Sequence, residues 1–481
     1  MRRLAMKFTN LFFTLVILIP GIARAQNFQS MMNQLVHQSR IKNSDLGLVI
    51  ASPNGRILAQ LNSRAKMTPA SLTKIVTAAA VLEKMPIGHQ FETTLLSSAP
   101  VVNGVLEGPL YLRGGGDPGF VSQTMWCLVD TFLRTGIKKI NGNIVVDDSR
   151  FDDVRFDPSR DQTLIDRAYD APIGAMTFNW SAVNVFVRPG FKVGAPARVY
   201  VDPQNTYIRL VNRARTSRYG RTRLSVINEN IKNDHLTGHH ETVVVSGEIP
   251  LGAPEFVAYR SIVHPAIWSG YQLKAFLRER GITVTGAVRH GKTPRGAKIL
   301  AVQKSKPIDE LVSEMMKYSN NFMAEILTKD LGVQEKGPPG TMDKGMAVIH
   351  EFLNSLHFKP QNYVMISPSG ISHKNKFRPI DLLRVLEHVR RRFEIYPEYV
   401  SSLPIGGVDG TLRIWLRGTE HLGVVRAKTG TLDGVVGLGG YVGTRSGHLY
   451  EFVFLFNGTP TGAGRARILF GSLISDLLKQ G

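Results

Sequence analysis

The chain has 481 residues, of which 43% are hydrophobic and 20% are charged, a balance typical of an ordered globular protein and not of a disordered one. This length exceeds the size at which one hydrophobic core stops growing, so it predicts two or more domains. The formal net charge of +21 favours polyanionic surroundings such as nucleic acid, anionic lipid or cell-wall polymer. The single cysteine, Cys127, excludes an intramolecular disulfide, and the apolar helical run around it predicts a buried, inert thiol.

The N-terminal segment has the pattern of a cleaved export signal. Arg2, Arg3 and Lys7 precede an apolar run at 11–19, and "ARA" at 23–25 supplies the small residues that signal peptidase recognises. The apolar run is shorter than the roughly 20 residues that cross a bilayer, and an uncleaved anchor is the alternative. Export predicts a periplasmic location, which argues against nucleic acid as a partner.

The elements that follow the signal predict a sheet built from both ends of the chain. "FQSMMNQLVHQSRI" has helical periodicity, and "LGLVIASPNGRILAQLNS" predicts two strands around a Pro-Asn-Gly turn. Near the C-terminus, "GVVRAKTGTL", "VVGLGGYVGT" and "LYEFVFLFNG" predict three strands, and "ARILFGSLISDLLKQ" predicts an amphipathic helix. We expect one largely antiparallel sheet with the terminal helices packed on one face.

The middle of the chain is predicted to be an excursion from that sheet, because short strands and turns dominate it from about residue 91 to 299. The predicted division is a signal at 1–25, a main domain at 26–90 and 300–481, a first insert domain at 91–192 and 261–299, and a second, nested insert domain at 193–260.

The spacing S-x-x-K occurs three times, at Ser39 and Lys42, at Ser63 and Lys66, and at Ser71 and Lys74. Of the three serines, Ser71 alone stands at the first turn of a predicted buried helix, just after Pro69. Lys74 follows one turn later on the same side of that helix, where burial and nearby cations can lower its pKa enough for it to act as a base. The alternative is a capping serine followed by a surface lysine.

Two later motifs favour the catalytic interpretation. "SNN" at 319–321 lies between two predicted helices, where its alternative role is to cap a helix break. "KTG" at 428–430 occurs once, on a predicted edge strand whose glycine allows a ligand to approach the backbone. The alternative is an ordinary edge strand whose lysine prevents pairing with the strands of other molecules. S-x-x-K, S-D-N and K-T-G occur together in β-lactamases and penicillin-binding proteins, where the serine is the nucleophile.

The spacing of the motifs adds a family resemblance. Ser71 precedes Ser319 by 248 residues, and Ser319 precedes Lys428 by 109, so a large insertion separates the first two motifs. With "LRGGGDPGF", "APIGAMTFNWSAVNVFVRPG" and "LPIGGVDGTLRIWL", the chain resembles the D-alanyl-D-alanine carboxypeptidase/endopeptidase family of class C low-molecular-weight penicillin-binding proteins, the penicillin-binding protein 4 type of peptidase family S13. The resemblance implies an α/β (α+β) fold. It comprises a β-lactamase/transpeptidase-like domain, with an antiparallel sheet flanked by helices, and nested β-rich insert domains.

The resemblance also implies roles for five catalytic residues. Ser71 attacks the carbonyl of a D-alanyl peptide and forms an acyl-enzyme, while Lys74 takes its proton. Ser319 passes a proton to the leaving amine, Asn321 orients the substrate amide or Lys74, and Lys428 adds positive potential.

For substrate binding, the resemblance implies a role for the strand that carries "KTGT". Thr429 and Thr431 hold the terminal carboxylate, Gly430 lies between them in the binding strand, and the backbone amides of Ser71 and Thr431 form the oxyanion hole.

The expected function is that of a serine DD-carboxypeptidase acting on peptidoglycan stem peptides and acylated by β-lactams, without a metal or cofactor. DD-endopeptidase activity is left open. A β-lactamase or D-amino-acid esterase of the same fold and a non-catalytic wall-binding protein are the alternatives. The chain departs from the family where "SPSGIS" replaces the usual D-G-S-G-L-S, with Ser367 in the acidic position.

Two other patterns are set aside. "GAVRHGKT" at 286–293 fits a phosphate-binding loop, but Pro294 and a strand-like run follow where a helix is required, so no nucleotide is expected. His235, His239 and His240 are interpreted as a solvated loop and not as a metal site.

Overall fold

The computed structural model describes residues 20–160, 170–202, 204–232 and 240–480. The predicted export signal therefore lies largely outside the described residues, which begin with a helix at Pro20. The helices of the described part are α1 Pro20–Ser39, α2 Thr73–Lys84, α3 Ser122–Leu133, α4 Pro265–Glu279, α5 Ile308–Lys317, α6 Asn321–Lys336, α7 Met342–Ser355, α8 Pro379–Arg390, α9 Tyr396–Ser402, α10 Leu412–Trp415 and α11 Ala463–Gln480. None of them combines the length and the apolar composition that crossing a membrane requires.

The strands within the same ranges are β1 Leu46–Ala51, β2 Ile57–Leu61, β3 Glu92–Ser97, β4 Val101–Val102, β5 Val105–Leu106, β6 Leu110–Arg113, β7 Lys139–Ile140, β8 Ile144–Asp147, β9 Ala182–Arg188, β10 Arg198–Asp202, β11 Ile208–Ser217, β12 Arg223–Asn228, β13 Glu241–Pro250, β14 Phe256–Ser261, β15 Thr283–Val284, β16 Val288–His290, β17 Lys298–Lys304, β18 Val425–Leu432, β19 Val435–Gly443 and β20 Leu449–Asn457.

Strands from both ends of the chain form the central sheet, in the order β18-β19-β20-β1-β2. Every neighbouring pair in this sheet is antiparallel. The predicted sheet of first hairpin and last three strands is confirmed, and β18, which carries "KTG", lies at the edge of the sheet as predicted.

Both faces of the central sheet are buried, and successive residues of β20 show this. Val453 and Leu455 belong to a core shared with α2 and α5 to α9. Phe452 and Phe454 belong to a second core shared with α1 and α11. Because side chains alternate along a strand, burial on both faces requires the continuous apolar run that β20 has.

Helix α2, which follows the S-x-x-K serine, lies in the middle of the first core. Ten consecutive residues, 73–82, are buried, including Lys74. The helix contacts α5, α6, α7 and α8. A helix buried all round must be apolar all round, so a lysine within it needs polar partners.

Strands β3 to β17 lie between α2 and α5 in the chain and form four further sheets in the described part. Their orders are β16-β8-β6-β3-β17, β15-β7-β5-β4, β10-β9-β14 and β11-β13-β12. Their buried apolar side chains form a third core, separate from the two around the central sheet.

The division into domains stays a prediction, but its boundaries cut through sheets. Strand β17 pairs with β3 across the predicted boundary at 299/300. Strands β10 and β14 both pair with β9, so one sheet spans the boundaries at 192/193 and 260/261. The Pro-Gly signal near residue 190 marks a connection within this sheet and not its end.

Cys127 is exposed, so the predicted buried thiol is wrong. Helix α3 buries Met125, Leu128, Val129 and Phe132, the stripe expected of an amphipathic helix, and Cys127 lies outside that stripe.

Candidate active site

Ser71 lies in a short 3-10 turn, Ala70–Leu72, that leads directly into α2. Its neighbour Ala70 has a φ of 50°, a left-handed conformation that is unusual for a residue with a side chain. Ser71 is half-buried, whereas Lys74 is fully buried. The turn therefore presents the hydroxyl at the end of a helix while the lysine stays beneath it.

The other two S-x-x-K serines lack this setting. Ser39 ends α1 and its hydroxyl donates to Val36 O, while Ser63 follows β2 and donates to Gln60 Oε1. Lys66 is exposed and donates to a backbone carbonyl of the loop near 361.

The amine of Lys74 has three polar neighbours. Lys74 Nζ lies 3.2 Å from Ser71 Oγ, 2.7 Å from Asn321 Oδ1 and 2.5 Å from Ser369 O. The structure therefore places the first and second sequence motifs together, across 247 residues of chain.

Burial lowers the pKa of Lys74 from 10.5 to about 7, because desolvation disfavours its charged form. Two buried charges modify this pKa in opposite directions, since Glu325 raises it and Arg160 lowers it. Lys74 is therefore poised between its two protonation states near neutral pH, as a base requires.

The "SNN" trio joins α5 to α6. Ser319 has a φ of 56°, and Asn320 caps α6 by accepting a hydrogen bond from Met323 N at 3.1 Å. Asparagine and aspartate are equally good at this cap, so S-N-N in place of S-D-N preserves the turn. Asn321 is the first residue of α6 and its side chain contacts Lys74.

Lys428 on β18 contacts the first residue of the same trio. Lys428 Nζ lies 2.8 Å from Ser319 Oγ and 2.8 Å from Thr429 O. Burial lowers its pKa well below 10.5, and the nearby Lys74 lowers it further. The three motifs thus converge on two buried amines and two half-buried hydroxyls.

The remaining residues of "KTGT" have different environments. Thr429 is nearly buried and its hydroxyl donates to Thr411 Oγ1 at 2.7 Å, while Thr431 is exposed. A Cβ atom on Gly430 would lie 2.7 Å from Pro69 O and 3.3 Å from Ala70 Cβ. The backbone that approaches Gly430 is therefore the turn that carries Ser71, and no ligand is needed to explain this glycine.

Comparison with known proteins gives this geometry a family. The model of the D-Ala-D-Ala carboxypeptidase 3 (S13) family matches residues 28–469. The chain belongs to this S13 family. A D-alanyl-D-alanine carboxypeptidase of Actinomadura sp. (strain R39) is 30% identical over 452 residues, which cover 91% of this chain and 82% of the relative. D-alanyl-D-alanine carboxypeptidase DacB of Haemophilus influenzae is 27% identical over 87% of this chain and 86% of its own length.

Among solved structures, penicillin-binding protein 4 (dacB) from Haemophilus influenzae has the same fold, with a TM-score of 0.76 at 24% identity. The match covers 92% of this chain and 99% of that chain. The predicted fold class is confirmed, and S13 membership makes this chain a serine-type D-Ala-D-Ala carboxypeptidase, a hydrolase of peptidoglycan metabolism. The non-catalytic alternative is not supported.

The departure from the usual family sequence at Ser367 leaves an ordered loop. Ser367 is fully buried, its amide donates to Asn375 Oδ1 at 3.1 Å, and its carbonyl accepts from Asn375 Nδ2 at 2.8 Å. Its hydroxyl lies 3.1 Å from that of Ser369. Asn375 therefore holds the loop that brings Ser369 O to Lys74, without an acidic residue at 367.

A buried ion pair next to Lys74 was not predicted from the sequence. Glu325 Oε2 lies 2.5 Å from Arg160 Nη2, and both side chains are at most 4% exposed. Ser369 Oγ donates to Glu325 Oε1 at 3.2 Å, which connects the pair to the loop that contacts Lys74. Glu325 follows Asn321 by four residues on α6, so both side chains lie on the same side of the helix. An acidic residue at this spacing in an apolar helix is the sequence signal that could have predicted a buried carboxylate near Lys74.

The patterns set aside in the sequence gain no support from the described residues. Strand β16 of "GAVRHGKT" is followed by another strand, β17, and not by the helix that a phosphate loop needs. In the described ranges, no three His, Cys, Asp or Glu side chains are grouped so that they could hold a metal ion. His235 and His239 lie outside these ranges.

Proposed function

We propose that this carboxypeptidase cleaves the terminal D-alanyl bond of peptidoglycan stem peptides through an acyl-enzyme on Ser71. The observation that carries the proposal is the fully buried Lys74 amine, 3.2 Å from Ser71 Oγ, with a pKa of about 7. A serine hydroxyl is a weak nucleophile unless a neighbouring base accepts its proton, and Lys74 is placed to do so.

The hydrogen bonds around Lys74 leave its lone pair available for this step. A neutral amine has two N–H donors and one lone pair. Asn321 Oδ1 and Ser369 O accept the two N–H groups, so the lone pair can accept the hydroxyl hydrogen of Ser71. Asn321 therefore orients Lys74.

Acylation forms a bond between Ser71 Oγ and the carbonyl carbon as the serine proton moves to Lys74. The backbone amides of Ser71 and Thr431 stabilise the oxyanion, at about 3 kcal/mol for each donor. The C–N bond then breaks as the proton held by Lys74 passes through Ser319 to the leaving D-alanine amine, which leaves Lys74 neutral again. In deacylation a water molecule attacks the ester carbonyl and gives a proton to Lys74, and this proton returns to Ser71 Oγ as the ester bond breaks.

Strand β18 binds the substrate terminus. Lys428 holds Ser319 Oγ at 2.8 Å. Burial lowers the pKa of Lys428, but the terminal carboxylate of a bound substrate favours its charged form, so Lys428 provides positive potential when the substrate is present. Thr431 is exposed and free to contact the carboxylate, whereas Thr429 contributes through its hydroxyl pair with Thr411. Gly430 lets β18 lie against the turn of Ser71.

The test is digestion of purified sacculi, with the products identified by mass. We expect wild type to release D-alanine, and Ser71→Ala to lose at least about 10³-fold of this activity. Ser63→Ala is the matched control, since Ser63 has the same S-x-x-K spacing but donates to Gln60. Unchanged D-alanine release by Ser71→Ala would refute the assignment.

The same digest tests DD-endopeptidase activity, which we include in the proposal. Endopeptidase cleavage converts cross-linked dimers into monomers, whereas carboxypeptidase cleavage releases D-alanine from either. Cross-linked dimers that persist after full D-alanine release would restrict the activity to carboxypeptidase.

Acylation by β-lactams is part of the same proposal, because their amide carbonyl can be attacked by Ser71 in the same way. A related protein from Haemophilus influenzae has been solved in complex with a β-lactam. We expect a long-lived adduct on Ser71, seen by intact mass. Rapid release of hydrolysed β-lactam would instead favour the β-lactamase alternative.

We also propose that the chain is exported to the periplasm through its basic and apolar N-terminal segment. Cell fractionation tests this, and N-terminal sequencing of the recovered protein should begin at Gln26. Recovery of full-length chain from the cytoplasm would contradict export.

A further inference from the structure

An arginine-rich stretch in the insertion has no role in the proposed reaction. Residues 209–223 contain six arginines and no acidic residue. Arg209, Arg213 and Arg215 alternate along β11 with buried or partly buried residues, so they share its exposed face. Arg223 on β12 lies in the same row as Arg215, with Glu248 of β13 between them.

Three loops meet at the end of β11 and define what we call the insert tip: residues 189–197, 215–223 and 249–254. Gly194 N donates to Thr216 O at 2.8 Å, and Gly190 N donates to Thr216 Oγ1 at 2.8 Å. Leu251 N donates to Ser217 O at 3.0 Å. The backbone hydrogen bonds hold the three loops as one surface.

Four large apolar side chains project from the insert tip. The exposed fraction is 87% for Phe191, 82% for Tyr219, 47% for Val193 and 43% for Leu251. Isolated exposed apolar residues are common on soluble proteins, but a group on loops joined to one another marks an interaction surface.

Basic side chains surround these apolar groups. The insert tip holds five basic residues, Lys192, Arg215, Arg218, Arg221 and Arg223, and no acidic residue, while Glu248 lies at its border between Arg215 and Arg223. All five are exposed. In addition, Arg198 lies 5.0 Å from the ring of Phe191 and Arg218 lies 5.9 Å from the ring of Tyr219. Each protruding ring is thus accompanied by a cation.

We propose that the insert tip docks on the surface of an anionic phospholipid bilayer. Lysine and arginine side chains are attracted to anionic headgroups, and this attraction accounts for the charge. A soluble polyanion would leave Phe191, Val193, Tyr219 and Leu251 in water, whereas the boundary between headgroups and acyl chains buries such side chains. The combination of cations with protruding apolar groups therefore selects a bilayer and not a soluble polymer.

The test is co-sedimentation of the mature chain with vesicles of phosphatidylcholine alone or mixed with phosphatidylglycerol. We expect binding to the mixed vesicles to exceed binding to phosphatidylcholine by at least about tenfold and to weaken in high salt. The double variant Phe191→Ser/Tyr219→Ser should lose at least about tenfold in binding. Arg218→Gln/Arg221→Gln should weaken binding and flatten its salt dependence.

A matched control lies elsewhere on the chain. Phe393 is 85% exposed and follows three arginines, Arg390, Arg391 and Arg392, but this segment lies at the end of α8, outside the insertion. Phe393→Ser should bind vesicles as wild type does. D-alanine release from a soluble pentapeptide should be unchanged in the insert-tip variants, which checks their folding and separates docking from catalysis.

Several outcomes would overturn the proposal. Equal binding to both vesicle types, or full binding by Phe191→Ser/Tyr219→Ser, would exclude the docking described here. Tight binding to polyphosphate that does not depend on the two aromatic residues, without vesicle binding, would assign the surface to a soluble polyanion.

Discussion

The helix side and the strand side of the proposed active site each bury a lysine, but they surround it differently. On the helix side, Lys74 contacts three oxygens and is influenced by a carboxylate, Glu325, which is itself paired with Arg160. On the strand side, the charge that acts on Lys428 is the other lysine. Burial lowers the pKa of both lysines. Glu325 raises the pKa of Lys74 and Arg160 lowers it, and neither acts on Lys428 in this way. Burial is the largest effect on both pKa values, and what distinguishes Lys74 is a buried carboxylate, Glu325, that raises its pKa against that burial.

The largest expected effect is that of Lys74→Met. Loss of the proton acceptor should reduce acylation by at least about 10³-fold and abolish its dependence on pH near neutrality. The measurement is the rate of labelling by a fluorescent penicillin between pH 5 and 9. Lys66→Met changes the lysine of another S-x-x-K copy and should be acylated at the wild-type rate. If both variants lost the same fraction of the acylation rate, Lys74 could not be distinguished from Lys66 as the base.

Lys428→Met should have a smaller effect, about 10²-fold on kcat/KM, because Lys428 positions Ser319 and provides potential but does not accept the serine proton. The variant should keep the acid limb of the pH profile, since Lys74 is still present. Steady-state kinetics on a D-alanyl-D-alanine peptide at several pH values gives both quantities. If kcat/KM of the variant did not depend on pH, Lys428 would be required for Lys74 to act as the base.

Gly430→Ala tests the contact between the two sides. The new methyl group would lie 2.7 Å from Pro69 O, so the strand or the Ser71 turn must shift. We expect a loss of about 1–3 kcal/mol in the free energy of unfolding and about tenfold slower acylation. Gly443→Ala on β19 is the control, because nothing lies within 4 Å of its Cβ position. Thermal melting and penicillin labelling of both variants give the comparison.

Arg160→Gln and Glu325→Gln should produce the smallest changes in rate, and in opposite directions. Lys74 is active as a base above its pKa of about 7, so acylation rises with pH through that value. Arg160 lowers this pKa, so Arg160→Gln should move the acid limb to higher pH. Glu325 raises it, so Glu325→Gln should move the limb to lower pH. Each rate at pH 6 should change by less than about tenfold.

Arg390→Gln is the matched control for that pair. Arg390 forms an ion pair with the buried Glu451 at 2.5 Å, away from Lys74. Its loss should lower the melting temperature without moving the acid limb. If Arg390→Gln moved the acid limb of the acylation rate as Arg160→Gln does, the movement would result from lower protein stability and not from the lost charge near Lys74.

The sequence predicted the central sheet well because local patterns determine it. The Pro-Asn-Gly hairpin and the strands around "KTG" were predicted from residues a few positions apart. The three motifs also identify Ser71, Lys74, Ser319, Asn321 and Lys428. In the structure Lys74 contacts Ser71 and Asn321, and Lys428 contacts Ser319. Their catalytic roles remain predictions until tested.

The environment of these residues could not be predicted in the same way. Arg160 and Glu325 are 165 positions apart, and no spacing rule connects an insertion loop to α6. The strand pattern around Gly430 predicts the approach of a ligand, but it cannot show the contact with the turn around Pro69, because that turn is distant in sequence. The apolar composition of α3 predicts a buried Cys127, but composition does not determine the face of the helix on which a residue lies.

Strand β1 pairs with β20, so the central sheet cannot form before both segments have been synthesised. Ser71 leaves the ribosome 357 residues before Lys428, which belongs to the edge strand of the same sheet. A nascent chain therefore holds Ser71 without Lys428 until β18 has been synthesised. The active site that we propose around Ser71 is assembled only after that strand exists.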